Sequence, residues 1–203
     1  MLKVGLTGGI ASGKTTVAAM LAARGCHLFY ADRIAHALTA PGQPAYDEIV
    51  QAFGKEVVAA DGTIDRHRLG VIVFAEAGKR EQLNRILHPR VIAEIENEFA
   101  QLEASEPGAI AVVEAALLVE AGYHRRLDKL IVTVCSREQQ LERLMKKTGL
   151  GRAAAEQRLA AQLPLEEKRR HADYEIDCSG SLAATEAQVE KVMQELRRLA
   201  AAR

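Results

Sequence analysis

Gly8-Gly9-Ile10-Ala11-Ser12-Gly13-Lys14-Thr15 fits the spacing Gly, four residues, Gly-Lys-Thr, and these residue types suit the grip of a polyphosphate. Gly8 and Gly13 let the backbone curl so that its N–H groups approach an anion, where a side chain would obstruct the curl. Gly9, Ala11 and Ser12 complete the cradle. Lys14 supplies a point charge to the outer phosphates, and the Thr15 hydroxyl suits ligation of the magnesium ion that neutralises them. Thr16 is a further donor.

Such a loop works only between a strand and a helix. Lys3-Val4-Gly5-Leu6-Thr7 is an apolar segment of strand length, and Val17, Met20 and Leu21 recur at helical spacing after the loop. The context therefore predicts strand, loop and helix, and with them a nucleotide site.

The chain has 203 residues, enough for one sizeable α/β core with a helical insertion. Lys plus Arg and Asp plus Glu each number 27, so no global charge favours nucleic acid or an anionic membrane, and phosphate binding is expected to be local. The longest apolar run, 109–119, is broken by Glu114 and is too short to span a bilayer. A start that leads directly into the loop is not expected to be a cleaved leader, and a cytoplasmic setting is expected. Cys26, Cys135 and Cys178 are scattered without the spacing of a zinc site or disulfide framework, and read as small buried hydrophobes.

Further elements should deliver side chains to the same chemistry. Cys26-His27-Leu28-Phe29-Tyr30 reads as a second strand that carries Asp32 to its carboxyl end, where open α/β sheets bind ligands. Asp32 suits a general base for an attacking hydroxyl or a magnesium partner, and equally suits the N-cap of a helix Arg33 to Leu38. His36 lies one helical turn on. From Pro41 to Pro107 the pattern is helical, longer than a connection needs, with Pro89 expected to end one helix and begin another. Ala109-Ile110-Ala111-Val112-Val113 reads as a central strand ending at Glu114, which suits either a metal-water orienter or a polar strand end. Lys129 to Val134 is the fourth strand, followed by a capping box at Ser136-Arg137-Glu138-Gln139. Arg143, Lys146, Lys147, Arg152, Arg158 and Lys168-Arg169-Arg170 gather beyond it, around Gly149 and Gly151. That pattern fits a lid closing on phosphates, although a solvated face explains most of the charges singly. Tyr174 to Cys178 is the fifth strand, and Thr185-Glu186-Ala187-Gln188 reads as a second capping box before a final amphipathic helix.

These residues together resemble the dephospho-coenzyme A kinases, which phosphorylate the ribose 3′-hydroxyl of dephospho-CoA. The resemblance rests on Leu6 through Val17, Ala31-Asp32 with Ala35-His36, His88-Pro89, Val113-Glu114-Ala115, Leu117-Leu118, Glu120-Ala121-Gly122, Gln140, Arg143-Leu144, Gln162, Lys168 and Ala172-Asp173. It runs nearly end to end. It implies a P-loop NTPase-type fold, a doubly wound five-stranded parallel sheet with a helical CoA-binding insertion (41–107) and a lid (about 139–171) on a core of 1–40, 108–138 and 172–203. It implies ATP as co-substrate with Mg2+, dephospho-CoA as acceptor, and neither nucleic acid nor membrane as partner; the oligomeric state is left unassigned. Under the resemblance Asp32 becomes the base, Lys14 and Arg143 stabilise charge, and Asp32, His36, His88, Arg90, Leu118 and Glu120 become acceptor-site candidates. Ala116, Lys147 and Cys178 depart from the pattern, where Pro, Arg and Asn are usual.

Overall fold

The loop connects the central strand of a sheet to the first helix, and the rest of the core is built around that connection. The computed structural model describes residues 1–203. Five parallel strands, β1 (Leu2–Gly8), β2 (His27–Tyr30), β3 (Ile110–Glu114), β4 (Lys129–Val134) and β5 (Tyr174–Asp177), stand in the order β2-β3-β1-β4-β5. The expected doubly wound parallel sheet is therefore present. Helix α1 (Lys14–Ala22) follows the loop after β1.

Because β1 and β3 are covered on both faces, they are near-continuous apolar runs rather than alternating ones. Val4, Leu6, Val112, Ile131 and Ile176 of the sheet are sealed against Val17, Ala18 and Leu21 of α1 and against Val189, Met193 and Leu196 of the last helix, α9 (Leu182–Ala201). Gly5 keeps the centre of β1 thin, since a Cβ there would lie 2.7 Å from Leu127 and 2.8 Å from Leu130. The outer strand β2 is covered by Phe99, whose ring meets Phe29 edge to face at 5.0 Å.

The chain divides into two units, Met1–Tyr30 with Glu98–Arg203, and Ala31–Asn97. The second is helical: α2 (Ala31–Leu38), α3 (Pro44–Phe53), α4 (Arg66–Ala75) and most of α5 (Ala77–Ser105). It has its own core of Ile49, Phe53, Val57, Ile64, Leu69 and Val73. Pro44 at the start of α3 and Asp65 as the cap of α4, accepting from the N–H groups of His67 and Arg68 at 3.0 Å each, set its helix boundaries. The expected insertion, 41–107, overlaps this unit.

Three local expectations are corrected. Pro89 does not divide two helices but lies inside α5. Its missing N–H deprives the Arg85 carbonyl of its helical donor. Arg90 meanwhile donates through Nη1 to the next carbonyl, that of Ile86, at 2.6 Å, and Val91 and Ile95 are buried beyond it. Burial on the far side offsets the roughly 3 kcal/mol that an internal proline costs. Asp32 is not an N-cap, because α2 already begins at Ala31, directly after the last residue of β2; the carboxylate lies inside the first turn instead, where the helix dipole favours it. Thr185 likewise does not cap α9. Ser181 does, accepting from Ala184 N–H at 3.2 Å, and the buried Thr185 hydroxyl donates to the Ser181 and Asp177 carbonyls. Gln188 pairs with the backbone of Asp177 in both directions at 2.9 Å, which satisfies the open edge of β5.

Candidate active site

At the carboxyl end of β1 the chain turns through backbone conformations that only small residues adopt easily. Gly8 has φ 150°, Gly13 φ 103° and Ala11 φ 55°, the last being the one non-glycine residue with positive φ. A Cβ on Gly8 would lie 2.3 Å from the Thr133 hydroxyl oxygen, and one on Gly13 would lie 2.8 Å from the Cys178 sulfur. Both positions are therefore fixed as glycine by space as well as by φ. The Ser12 and Thr133 hydroxyls share a 2.6 Å hydrogen bond, and Thr133 also donates to the Thr7 carbonyl, so β4 braces the floor of the loop. Thr133 has no signature of its own in the sequence, where it reads as one more β-branched strand residue.

The flank of the loop is held separately. The Ile10 N–H donates to Gln162 Oε1 at 2.8 Å, and its carbonyl accepts from Gln140 Nε2 at 3.1 Å. Gln140 belongs to α6 (Arg137–Thr148), and Gln162 follows α7 (Arg152–Ala160). Ile10 and Ala11 also pack against the apolar cluster of Leu141, Leu144 and Ala155 that joins those helices. Ser136 starts α6 with the expected capping box, and Gly149 ends it in the left-handed region at φ 71°.

Positive charge converges on this end of the sheet. Lys14 Nζ donates to the carbonyls of Gly8 and Gly9 at 3.1 and 2.9 Å, and Arg143 Nη2 donates to the Cys178 carbonyl at 2.8 Å. Cys178 is the residue against which Gly13 packs, so Arg143, Cys178, Gly13 and Lys14 form one wall. Burial raises the Cys135 thiol above its usual pKa, and the fields of Arg143 and Lys14 both oppose that rise. The Cys178 thiol, buried and next to Cys135, is pushed up to about 11. Both thiols are thus protonated near neutrality, as small buried hydrophobes should be. Thr15 and Thr16 are exposed in the first turn of α1, where the helix N-terminus favours an anion.

Five of the gathered cations, Arg143, Arg152, Lys168, Arg169 and Arg170, sort into two kinds. Arg152 forks onto Glu138 at 2.8 and 3.0 Å and also meets Glu156, while Arg169 and Arg170 pair with Glu166, Glu175 and Glu167. Lys168, in α8 (Leu165–Arg169), is fully buried and bonds the Ala116 carbonyl and Glu120. These four have carboxylate partners within the fold, whereas Arg143 lies against the loop through Cys178.

The other candidates fall as follows. Leu118 is 3% exposed and packs beside Gly5, and Glu120 is held by Lys168. In the helical unit, Asp32 and His36 are exposed on α2, and His36 lines a cavity of about 180 Å³ with Arg66, Ile49 and Leu87. His88 and Arg90 stand on α5, and Arg90 pairs with Glu48. No group of three His, Cys, Asp or Glu side chains forms a metal cluster.

A family model described as dephospho-CoA kinase matches residues 2–184. The chain belongs to the dephospho-CoA kinase family. A dephospho-CoA kinase of Symbiobacterium thermophilum is 46% identical over 92% of this chain and 78% of its own length. Another, from Anaeromyxobacter dehalogenans, is 43% identical over 97% and 93%. Among solved structures, dephospho-CoA kinase from Campylobacter jejuni is 30% identical with a TM-score of 0.69, covering 96% of each chain. A shikimate kinase from Acinetobacter baumannii, at 19% identity and a TM-score of 0.56, shares the fold. As a member of the family the chain is a kinase, and ATP is its co-substrate. No helix is long and apolar enough to cross a membrane.

Proposed function

We propose that the chain transfers the γ-phosphoryl group of ATP to the ribose 3′-hydroxyl of dephospho-CoA, giving CoA. The observation that carries this reading is the wall of Gly13, Lys14, Cys178 and Arg143 at the carboxyl end of the central strand, in a chain of this family. Glycine-made backbone donors and Lys14 hold the phosphates, and Arg143 adds charge where the leaving group develops it. Thr15 would hold a magnesium ion, which supplies charge neutralisation between the outer phosphates. Asp32 accepts the proton of the attacking hydroxyl, so that the oxygen becomes nucleophilic as the phosphoryl group departs from ADP. His36, His88 and Arg90 supply the helical unit's polar contacts to the acceptor; Leu118 contributes packing, and Glu120 acts through its remaining oxygen. The working setting is the cytoplasm, with neither nucleic acid nor membrane as partner.

An acceptor panel tests the reading: dephospho-CoA against adenosine, AMP, shikimate and gluconate, each with magnesium and ATP, the products identified by mass. Phosphorylation of dephospho-CoA well above the rest is expected. Preference for any other acceptor would overturn it.

A further inference from the structure

Lys168 is a lysine with no exposed surface on a helix of five residues. Burial disfavours its charged form, and Glu120 is what opposes that cost. An apolar residue of similar volume would pack at such a position without an ion to desolvate. The ammonium is instead spent on two acceptors of one segment. It donates to the Ala116 carbonyl at 2.5 Å, which also accepts from the Thr7 hydroxyl at 3.3 Å, and to Glu120 Oε1 at 2.8 Å.

Glu120 Oε1 accepts in turn from the Leu163 N–H at 3.0 Å. Leu163 follows Gln162, whose side chain holds the Ile10 N–H of the phosphate loop. Polar contacts therefore lead from Lys168 through Glu120 to the Leu163 backbone, and the peptide chain carries the connection on to Gln162 and the flank of the loop. We propose that Lys168 is a positioning residue for the kinase: by fixing Glu120 it fixes the Gln162–Leu163 segment, and through Gln162 it sets the Ile10 peptide of the nucleotide-gripping loop. Lys168 touches no substrate itself. The inference rests on the reading of that loop as the ATP site.

The test is a double-mutant cycle on the full chain, with Lys168→Met, Gln162→Leu and the pair, reading the affinity for magnesium and a non-hydrolysable ATP analogue by calorimetry and the melting temperature alongside. Each single change is expected to weaken binding about tenfold, because a small misplacement of a positioning group is costly. The double variant should then lose little more than the worse single one, since both act through one contact. Independent losses that multiply, or a lower melting temperature with unchanged affinity, would overturn the proposal and leave Lys168 a packing residue. If Lys168→Met does not fold, Glu120→Gln replaces it in the cycle, with a smaller loss in the same direction expected and unchanged affinity decisive against. Failure of the wild-type chain to bind the analogue would instead contradict the loop's assignment, which separates the two claims.

Discussion

The phosphate loop and the helical unit Ala31–Asn97 carry the two halves of the proposed reaction, and they are built on opposite principles. In the loop the proposed function is local: Gly8, Gly13 and Lys14 would each act as their chemical type dictates, and Thr133 and Gln140 brace the loop around them. In the helical unit the core of Ile49, Phe53, Leu69 and Val73 stabilises a scaffold, and the polar residues it presents, Asp32, His36 and Arg90, are of kinds found on any helix surface. A site made of backbone geometry has a sequence signature. One made of side chains displayed on helices has little.

The comparison can be broken by experiment. Asp32→Asn should lower turnover by about 10²–10⁴ while ATP affinity is unchanged, as measured by steady-state kinetics and calorimetry; unchanged turnover would remove the base from the helical unit. Lys14→Met should cost about 10²–10³ in kcat and weaken ATP binding as well, so the two variants differ in kind. Ile49→Ala removes a fully buried side chain and should destabilise by about 2–5 kcal/mol. Hydrogen exchange should show the lost protection concentrated in Ala31–Asn97, with the loop still protected; uniform loss would mean that the units unfold together.

The smallest effect concerns His124. Its ring meets that of His171 with centroids 4.5 Å apart and planes tilted by 54°, and its Nδ1 is buried without a hydrogen-bond partner. Burial, the field of His171 and that of Arg125 hold it below the usual 6.5. The unfolded chain therefore takes up the proton first as pH falls, and stability declines below pH 6.5 toward the lower folded value. His124→Gln should flatten that slope in denaturant titrations across this range, and an unaltered slope would assign it elsewhere.

The same contrast governs how much was legible in the sequence. The loop, the five strands and the Ser136 capping box were readable because each depends on residues within a few positions. Pro89 and Thr185 misled for a common reason. A proline signals a helix break and Thr-x-x-Gln signals a cap, yet burial beyond Pro89 and the open edge of β5 at Asp177 claimed those residues for other work. Lys168 was one cation in a basic run, and only the fold shows that it is buried on Glu120 whereas Arg143 reaches the loop's wall. Charge type is written in the sequence, but its partner is not.

The most direct test of the central claim is ADP release by the purified chain with magnesium and ATP, measured with and without dephospho-CoA. Release that depends on dephospho-CoA, matched mole for mole by CoA, is the predicted result. ADP released equally in the absence of acceptor would contradict the account and make the loop that of a hydrolase.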